Sequence, residues 1–118
     1  MPYMLLIHEP TGQRQTRTQP EGEAVFARML RFADDLKARG VLRGVESLST
    51  PAEGAARVQV RSGKAHVLDG PFAEAKEMVG GFFLVDVPTR EEAVAIAREC
   101  PAAEWATIEV RATGPCYT

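Results

Sequence analysis

Cysteine and histidine are scarce in this chain of 118 residues, which holds two of each. Cys100 and Cys116 form no CxxC pair and have no histidine at ligand spacing, so we expect free thiols and no metal site. No apolar run approaches the roughly 20 residues of a membrane span. Phosphate-binding loops and dinucleotide fingerprints are also absent from the sequence, so no cofactor is predicted.

An excess of one charge sign is lacking too. The 14 basic and 16 acidic residues leave a formal net charge of -2, without a dense Lys/Arg stripe, which predicts no direct binding to nucleic acid. The first residues do not resemble a signal peptide, so we expect a cytoplasmic location and no membrane association. This length fits one domain, predicted at 1–112, with a C-terminal tail at 113–118.

Two capped helices and two strongly apolar strands dominate the pattern. TxxE capping boxes at 18–21 and 89–92 predict helix starts, and Gly40 and Pro101 predict the ends of those helices. A short Gly-containing connection at 62–64 predicts a hairpin, and Asp69-Gly70-Pro71 predicts a turn. The predicted strands cover 3–7, 41–48, 57–61, 65–68, 80–87 and 105–111.

This order of elements is typical of an α+β, ferredoxin-like fold, with an antiparallel sheet and both helices on one face. The strands 3–7 and 80–87 are nevertheless apolar on both faces. Leaving large apolar side chains exposed costs roughly 1.5–3 kcal/mol each. We therefore predict a homodimer through the exposed sheet face. A groove for a hydrophobic ligand or for a different protein is the alternative.

The tetrapeptide DGPF at 69–72, continued by AEAKE at 73–77 and GGFF at 80–83, resembles the signature of the DGPF subgroup of the YCII-related family. Both ends of the chain and the second helix are similar to that subgroup as well, so the resemblance runs from Tyr3 to about Arg111. It implies a dimeric α/β-barrel of ferredoxin-like subunits, with a cleft between the sheet and the loops.

The same resemblance implies possible activities. The larger family includes a dehydrochlorinating enzyme of aromatic degradation, and members with a proposed His-Asp catalytic pair on and after the first helix. In this sequence the matching positions fall at about Met29 and near Ala38, so the pair is not carried over. Members of the subgroup resemble companions of extracytoplasmic-function sigma factors, which implies a regulatory setting.

Four polar residues at and after the DGPF turn are the predicted ligand-binding set: Asp69, Glu74, Lys76 and Glu77. A carboxylate held by a turn can orient a ligand or act as a general base, and Lys76 can pair with an anionic group. The alternative is that Asp69 caps the turn while the other three form a solvated face.

His8 and Asp86 are the candidate catalytic residues, because each ends a strongly apolar strand. If those strands are parallel neighbours, the two side chains meet at one sheet edge, where an aspartate can orient an imidazole for proton transfer. A solvated or hydrogen-bonded histidine is the alternative.

Three functions remain open from the sequence. The leading one is a homodimer that binds an unidentified small molecule near the DGPF loop, in a sigma-factor-linked setting. The second is a small YCII-type enzyme that uses acid–base chemistry, from Asp69 or His8, on a small cyclic substrate. The third is a structural or protein-interaction module.

Overall fold

The computed structural model describes residues 2–117, so Met1 and Thr118, at the outer ends of the predicted domain and tail, lie outside the described residues. Within that range the chain forms six strands and two α-helices, in the predicted order. They are β1 (Pro2–Pro10), α1 (Gln19–Ala38), β2 (Leu42–Ser47), β3 (Ala56–Arg61), β4 (Lys64–Asp69), β5 (Glu77–Asp86), α2 (Arg90–Glu99) and β6 (Thr107–Ala112). The last strand begins at Thr107 rather than 105, because the 3-10 turn Pro101–Glu104 ends at Trp105.

The main sheet has the order β2-β5-β1-β6, and its neighbouring strands are antiparallel. Alternate residues of β1 face the helices, so that Tyr3, Leu5 and Ile7 are buried in the same core as residues from α1 and α2. Within this core the rings of Phe32 and Phe83 meet edge to face, with centroids 5.2 Å apart. The predicted α+β, ferredoxin-like fold with both helices on one face is confirmed.

The predicted capping box places the start of α1. Thr18 Oγ1 accepts a hydrogen bond from the Glu21 N–H, and Glu21 Oε1 accepts one from the Thr18 N–H at 2.8 Å. At the other end Gly40 has φ +75°, the left-handed conformation that glycine adopts without strain. Thr89 caps α2 in the same way, by accepting from the Glu92 N–H. Local sequence therefore determines where both helices begin.

The sheet face opposite the helices is called the open face. Its centre consists of half-buried apolar side chains in directly opposed pairs, Met4 with Leu84 and Leu6 with Phe82. At one end of the face His8 Nε2 lies 2.7 Å from Glu109 Oε1. The surface is thus apolar in the middle and charged at one margin.

The predicted hairpin is confirmed as a separate two-stranded ribbon, β3–β4, here called the arm (residues 56–69). Its two-residue turn has positive φ at Ser62 (51°) and Gly63 (74°), as type I′ hairpin turns require. Every residue of both strands is exposed. The alternation of β structure places Val58, Val60 and Val67 on one face, with 59–63% of each residue exposed.

Candidate functional site

The DGPF loop, residues 69–76, is held in place by backbone contacts. The Gly70 N–H donates to the Ala55 carbonyl at 2.7 Å. A Cβ at Gly70 would lie 2.5 Å from the Pro51 carbonyl oxygen, so only glycine fits this close approach. Thr11, just after β1, donates its N–H to the Lys76 carbonyl at 2.9 Å. The loop is therefore fixed to both the segment 51–55 and the end of β1.

The four predicted ligand residues do not converge. The side chains of Asp69, Glu74, Lys76 and Glu77 are exposed, and within residues 2–117 none of them forms a hydrogen bond or an ion pair. The capping role considered for Asp69 therefore has no hydrogen bond to support it. Of the four, only Glu77 lines a groove of about 710 Å³ between the DGPF loop, the segment 48–55 and the end of β1. Their role in ligand binding stays a prediction.

His8 and Asp86 lie at opposite ends of the sheet, and the expectation of parallel neighbouring strands is wrong. β1 and β5 are antiparallel, so His8 is opposite Val79 while Asp86 is opposite Pro2. Six residues of strand, roughly 20 Å, separate the two positions. Asp86 instead lies 3.4 Å from Arg43, and His8 pairs with Glu109. No His-Asp proton relay forms between these two residues.

A second cavity, of about 520 Å³, lies between the first half of α1 and the helix side of the sheet, and is called the α1 cleft. The helix stands away from the sheet here, so its apolar side chains are only partly covered. Those lining the cleft are Val25, Phe26, Met29 and Leu30. Ile7, Val45 and Phe83 form the opposite wall, and Trp105 also lines the cleft. The result is an apolar cleft open to solvent on one side.

Glu9 is the only buried charged residue among residues 2–117, and it lies in the floor of the α1 cleft. It follows Tyr3, Leu5 and Ile7 on the helix-facing side of β1. Arg14 Nε donates to Glu9 Oε1 at 2.5 Å, while its Nη1 and Nη2 donate to the carbonyls of Leu48 and Gly80. The carboxylate is thus charge-paired on one side only.

The second oxygen of this carboxylate, Glu9 Oε2, accepts no hydrogen bond from the described part of the chain. No fully buried side-chain oxygen of residues 2–117 lacks a partner, so Oε2 keeps some accessible surface, and Glu9 is among the residues that line the cleft. Gly80 makes this position possible, because a Cβ there would lie 2.7 Å from Oε2. The cleft therefore presents one free acceptor at the base of apolar walls.

Two arginines lie beside Trp105, and one of them, Arg17, also lines the cleft. The guanidinium groups of Arg17 and Arg28 lie 5.6 and 5.5 Å from the centre of the Trp105 ring, within the range of cation–π contacts. Arg28 also donates to Glu104, and this hydrogen bond lowers the pKa of the Glu104 carboxyl. Arg28 is therefore charge-compensated, whereas Arg17 lines the cleft with its positive charge.

Sequence reasoning missed Glu9, Arg14 and Glu109. The alternation of residues 3, 5 and 7 extends to Glu9 and places an acid on the buried side of a strand, which is a detectable signal. Gly80 within an apolar strand is a second signal, since such glycines mark close approaches. Glu109 had no comparable signal.

The family model of the YCII-related domain matches residues 1–115 of the chain. The chain belongs to the YCII-related family. This chain is also similar to an uncharacterised protein of Rhizobium meliloti. The two are 31% identical over 107 residues, which cover 91% of this chain and 86% of the relative. The DGPF subgroup stays a prediction.

In this YCII-related protein the two positions that match the family's His-Asp pair lie in different surroundings. Met29 lines the α1 cleft, whereas Ala38 is exposed at the last residue of α1. The polar side chains of the cleft come instead from other positions: Glu9, Arg14, Arg17, Glu46 and Ser47. Among residues 2–117, no cluster of three or more His, Cys, Asp or Glu is placed to hold a metal ion. None of the helices in that range is long and apolar enough to cross a membrane.

Proposed function

We propose that this YCII-related chain is a homodimeric small-molecule-binding protein whose ligand occupies the α1 cleft. The observation that carries the proposal is the buried Glu9 carboxylate, which has one unused oxygen at the base of an apolar cleft. Ligand sites are typically clefts of roughly 300–1,000 Å³ with apolar walls and few polar groups, and the α1 cleft, at about 520 Å³, has those properties.

The lining residues define the chemistry of the ligand. Phe26, Leu30 and Phe83 suit a cyclic apolar body. Glu9 Oε2 can only accept while ionised, so the buried end of the ligand must carry an O–H or N–H donor. A negative group would be repelled at that end but attracted at the mouth, where Arg17 lies. The preferred ligand is a ring with a buried donor, with or without an exposed acidic group.

The dimer forms through the open face. Met4, Leu6, Phe82 and Leu84 give that face an apolar centre that no other segment of residues 2–117 covers fully. Packing against the same face of a second copy would bury them on both subunits. The helix side, and with it the α1 cleft, would then remain open to solvent.

A thermal-shift screen of hydroxylated and aminated ring compounds tests the ligand site. A compound present at 100 times its Kd stabilises the native state by about 2.7 kcal/mol, so real ligands raise the melting temperature measurably. We expect Glu9→Gln and Leu30→Gln to abolish the shift. Leu68→Gln is the matched control, because Leu68 is also about half exposed but does not line the cleft.

Asp69→Ala separates this site from the cleft predicted near the DGPF loop. If shifts persist in Leu30→Gln but vanish in Asp69→Ala, the ligand lies at the loop and the α1 cleft is the wrong site. If no compound shifts wild type, including aromatic compounds that carry donors, the binding function itself fails. Circular dichroism spectra of the variants check that each one folds.

Acid–base catalysis in the same cleft is a second candidate, favoured by the position of Glu9. An ionised carboxylate facing a bound donor can remove a proton from it, as a general base does. Because Met29 and Ala38 replace the family pair, Glu9 is the buried acid–base residue of this cleft, whereas Glu46, the other carboxylate in its lining, is exposed. Turnover of an identified ligand by the wild-type protein would establish an enzyme, and turnover that is lost in Glu9→Gln but retained in Leu68→Gln would place the reaction in the α1 cleft. Binding without turnover would exclude it.

The sigma-factor-linked setting stays a prediction of the sequence resemblance. It concerns the regulatory context rather than the cleft, and the position of the gene beside a sigma factor would support it.

A further inference from the structure

The arm makes few contacts with the rest of its own subunit; one of them is Arg57, whose guanidinium lies 3.9 Å from the centre of the Phe72 ring. Its two strands pair only with each other, and all twelve of their residues are exposed. An isolated two-stranded hairpin is at best marginally stable in water. Val58, Val60 and Val67 nevertheless form an apolar face that nothing in residues 2–117 covers. A surface of this kind requires a partner.

Charge indicates which partner the arm fits. The arm carries three basic residues, Arg57, Arg61 and Lys64, and one acid, Asp69, so its formal charge is +2. Because the whole chain is -2, the remainder carries -4. Within the described residues, neither Arg61 nor Lys64 forms an ion pair. The tip of the arm is thus positive, uncompensated and attached to a negative body.

The acidic side of the body lies around the root of the arm. The two segments that join the arm to the sheet, 48–55 and 70–77, contain Glu53, Glu74 and Glu77 against a single base, Lys76. These three carboxylates, here called the acidic rim, are exposed, and none forms an ion pair within residues 2–117. Glu53 and Glu77 line the groove of about 710 Å³. Arg14 and Arg57 also line it, but Arg14 is paired with Glu9 and Arg57 lies over the Phe72 ring of the same subunit.

The groove also offers apolar contacts. Leu48 and Val79 lie in its wall and are about 40% exposed, and Met78 and Phe72 adjoin them. The valines of the arm match the apolar wall, and Arg61 and Lys64, which lie on the opposite face at its tip, match the acidic rim beside that wall. His8 belongs both to the open face and to the groove, so the two surfaces are continuous.

We propose that the arm of one subunit docks in the groove of a second copy, against the acidic rim. Arm and rim lie on the same chain, so a twofold axis makes the contact twice, once in each direction. This inference rests on the proposed dimer and enlarges it. A stable interface buries about 800 Å² on each partner, more than four half-buried residues of the open face can supply. The arms provide the additional area.

A charge exchange tests the contact. Arg61→Glu and Glu77→Arg each place like charges across both arm–rim contacts, so each variant alone should dimerise at least roughly tenfold more weakly in sedimentation experiments. When the two variants are mixed, the mixed dimer has opposite charges in both contacts, and we expect affinity close to that of wild type. Arg90→Glu makes the same charge change on an exposed residue of α2 and should leave the Kd unchanged.

The outcomes distinguish the proposed arm–groove contact from the proposed dimer through the open face. Two variants that dimerise as wild type does, or a mixture no tighter than its components, overturn the arm contact. If Leu6→Glu then still dissociates the protein, the open-face dimer stands without the arms. A wild-type chain that stays monomeric at all concentrations overturns both, and a different protein would have to cover the arm. Unchanged circular dichroism spectra exclude misfolding as the cause.

Discussion

Replacing Arg14 with methionine isolates the contribution of the buried pair. The substitution keeps much of the length of the side chain, but it removes the donors to Glu9 Oε1 and to the carbonyls of Leu48 and Gly80. The Glu9 side chain is only 7% exposed, so its charge loses its partner without gaining full hydration. Removing one partner of a buried pair costs about 3–5 kcal/mol. Because the Arg14 side chain is 28% exposed and water partly replaces it, we expect a loss of about 2–4 kcal/mol.

Urea unfolding followed by circular dichroism measures this loss. With an m-value of about 2 kcal/mol per molar urea, the midpoint should fall by about 1–2 M. The double variant Glu9→Gln, Arg14→Met should be more stable than Arg14→Met alone, because it removes the unpaired charge. A loss below about 1 kcal/mol, or strictly additive effects of the two substitutions, would refute the account of Glu9 as a buried and dependent charge.

Two further predictions concern glycine and cysteine. Gly70→Ala should displace the root of the arm, because its Cβ would lie 2.5 Å from the Pro51 carbonyl oxygen, and amide exchange should accelerate in 48–55 and 70–76. Gly22→Ala is the control, because a Cβ at Gly22 would meet nothing within 4 Å. This control substitution should stabilise α1 by about 0.5–1 kcal/mol. Unchanged amide exchange in Gly70→Ala would contradict the steric argument. Burial raises the pKa of the Cys100 thiol, so the exposed Cys116 should react with a thiol reagent in the native protein and Cys100 only after unfolding. The thiol ionises at a lower pH in the unfolded chain than in the folded protein. The free energy of unfolding should therefore fall as the pH rises above about 8.5, and Cys100→Ala should remove this fall.

The order of elements could be predicted because its causes are local. Thr18 and Thr89 cap helices through residues three positions away, and Gly63 supports a turn between adjacent strands. The arrangement of strands was harder to predict. The two-residue alternation of apolar side chains along a strand identifies which side chains share a face. It does not determine whether neighbouring strands are parallel. That is why His8 and Asp86 could be assigned to the ends of strands but not to the same end of the sheet.

The α1 cleft could not be predicted because its parts are distant in the sequence. Glu9, Arg14 and Gly80 come together only when β1 and β5 pair with an irregular register beside Gly80. Val25 and Met29 have the apolar spacing of one helix face, but this spacing could not show that the first half of α1 stands away from the sheet. A helical stripe that lines a cavity has the same spacing as one that packs tightly.

Arg14 lies in the walls of both cavities, the α1 cleft on one side and the groove at the DGPF loop on the other. Its guanidinium donates to carbonyls that belong to two separate stretches of chain. A ligand or a substitution that displaces Arg14 in one cavity would therefore also change the lining of the other.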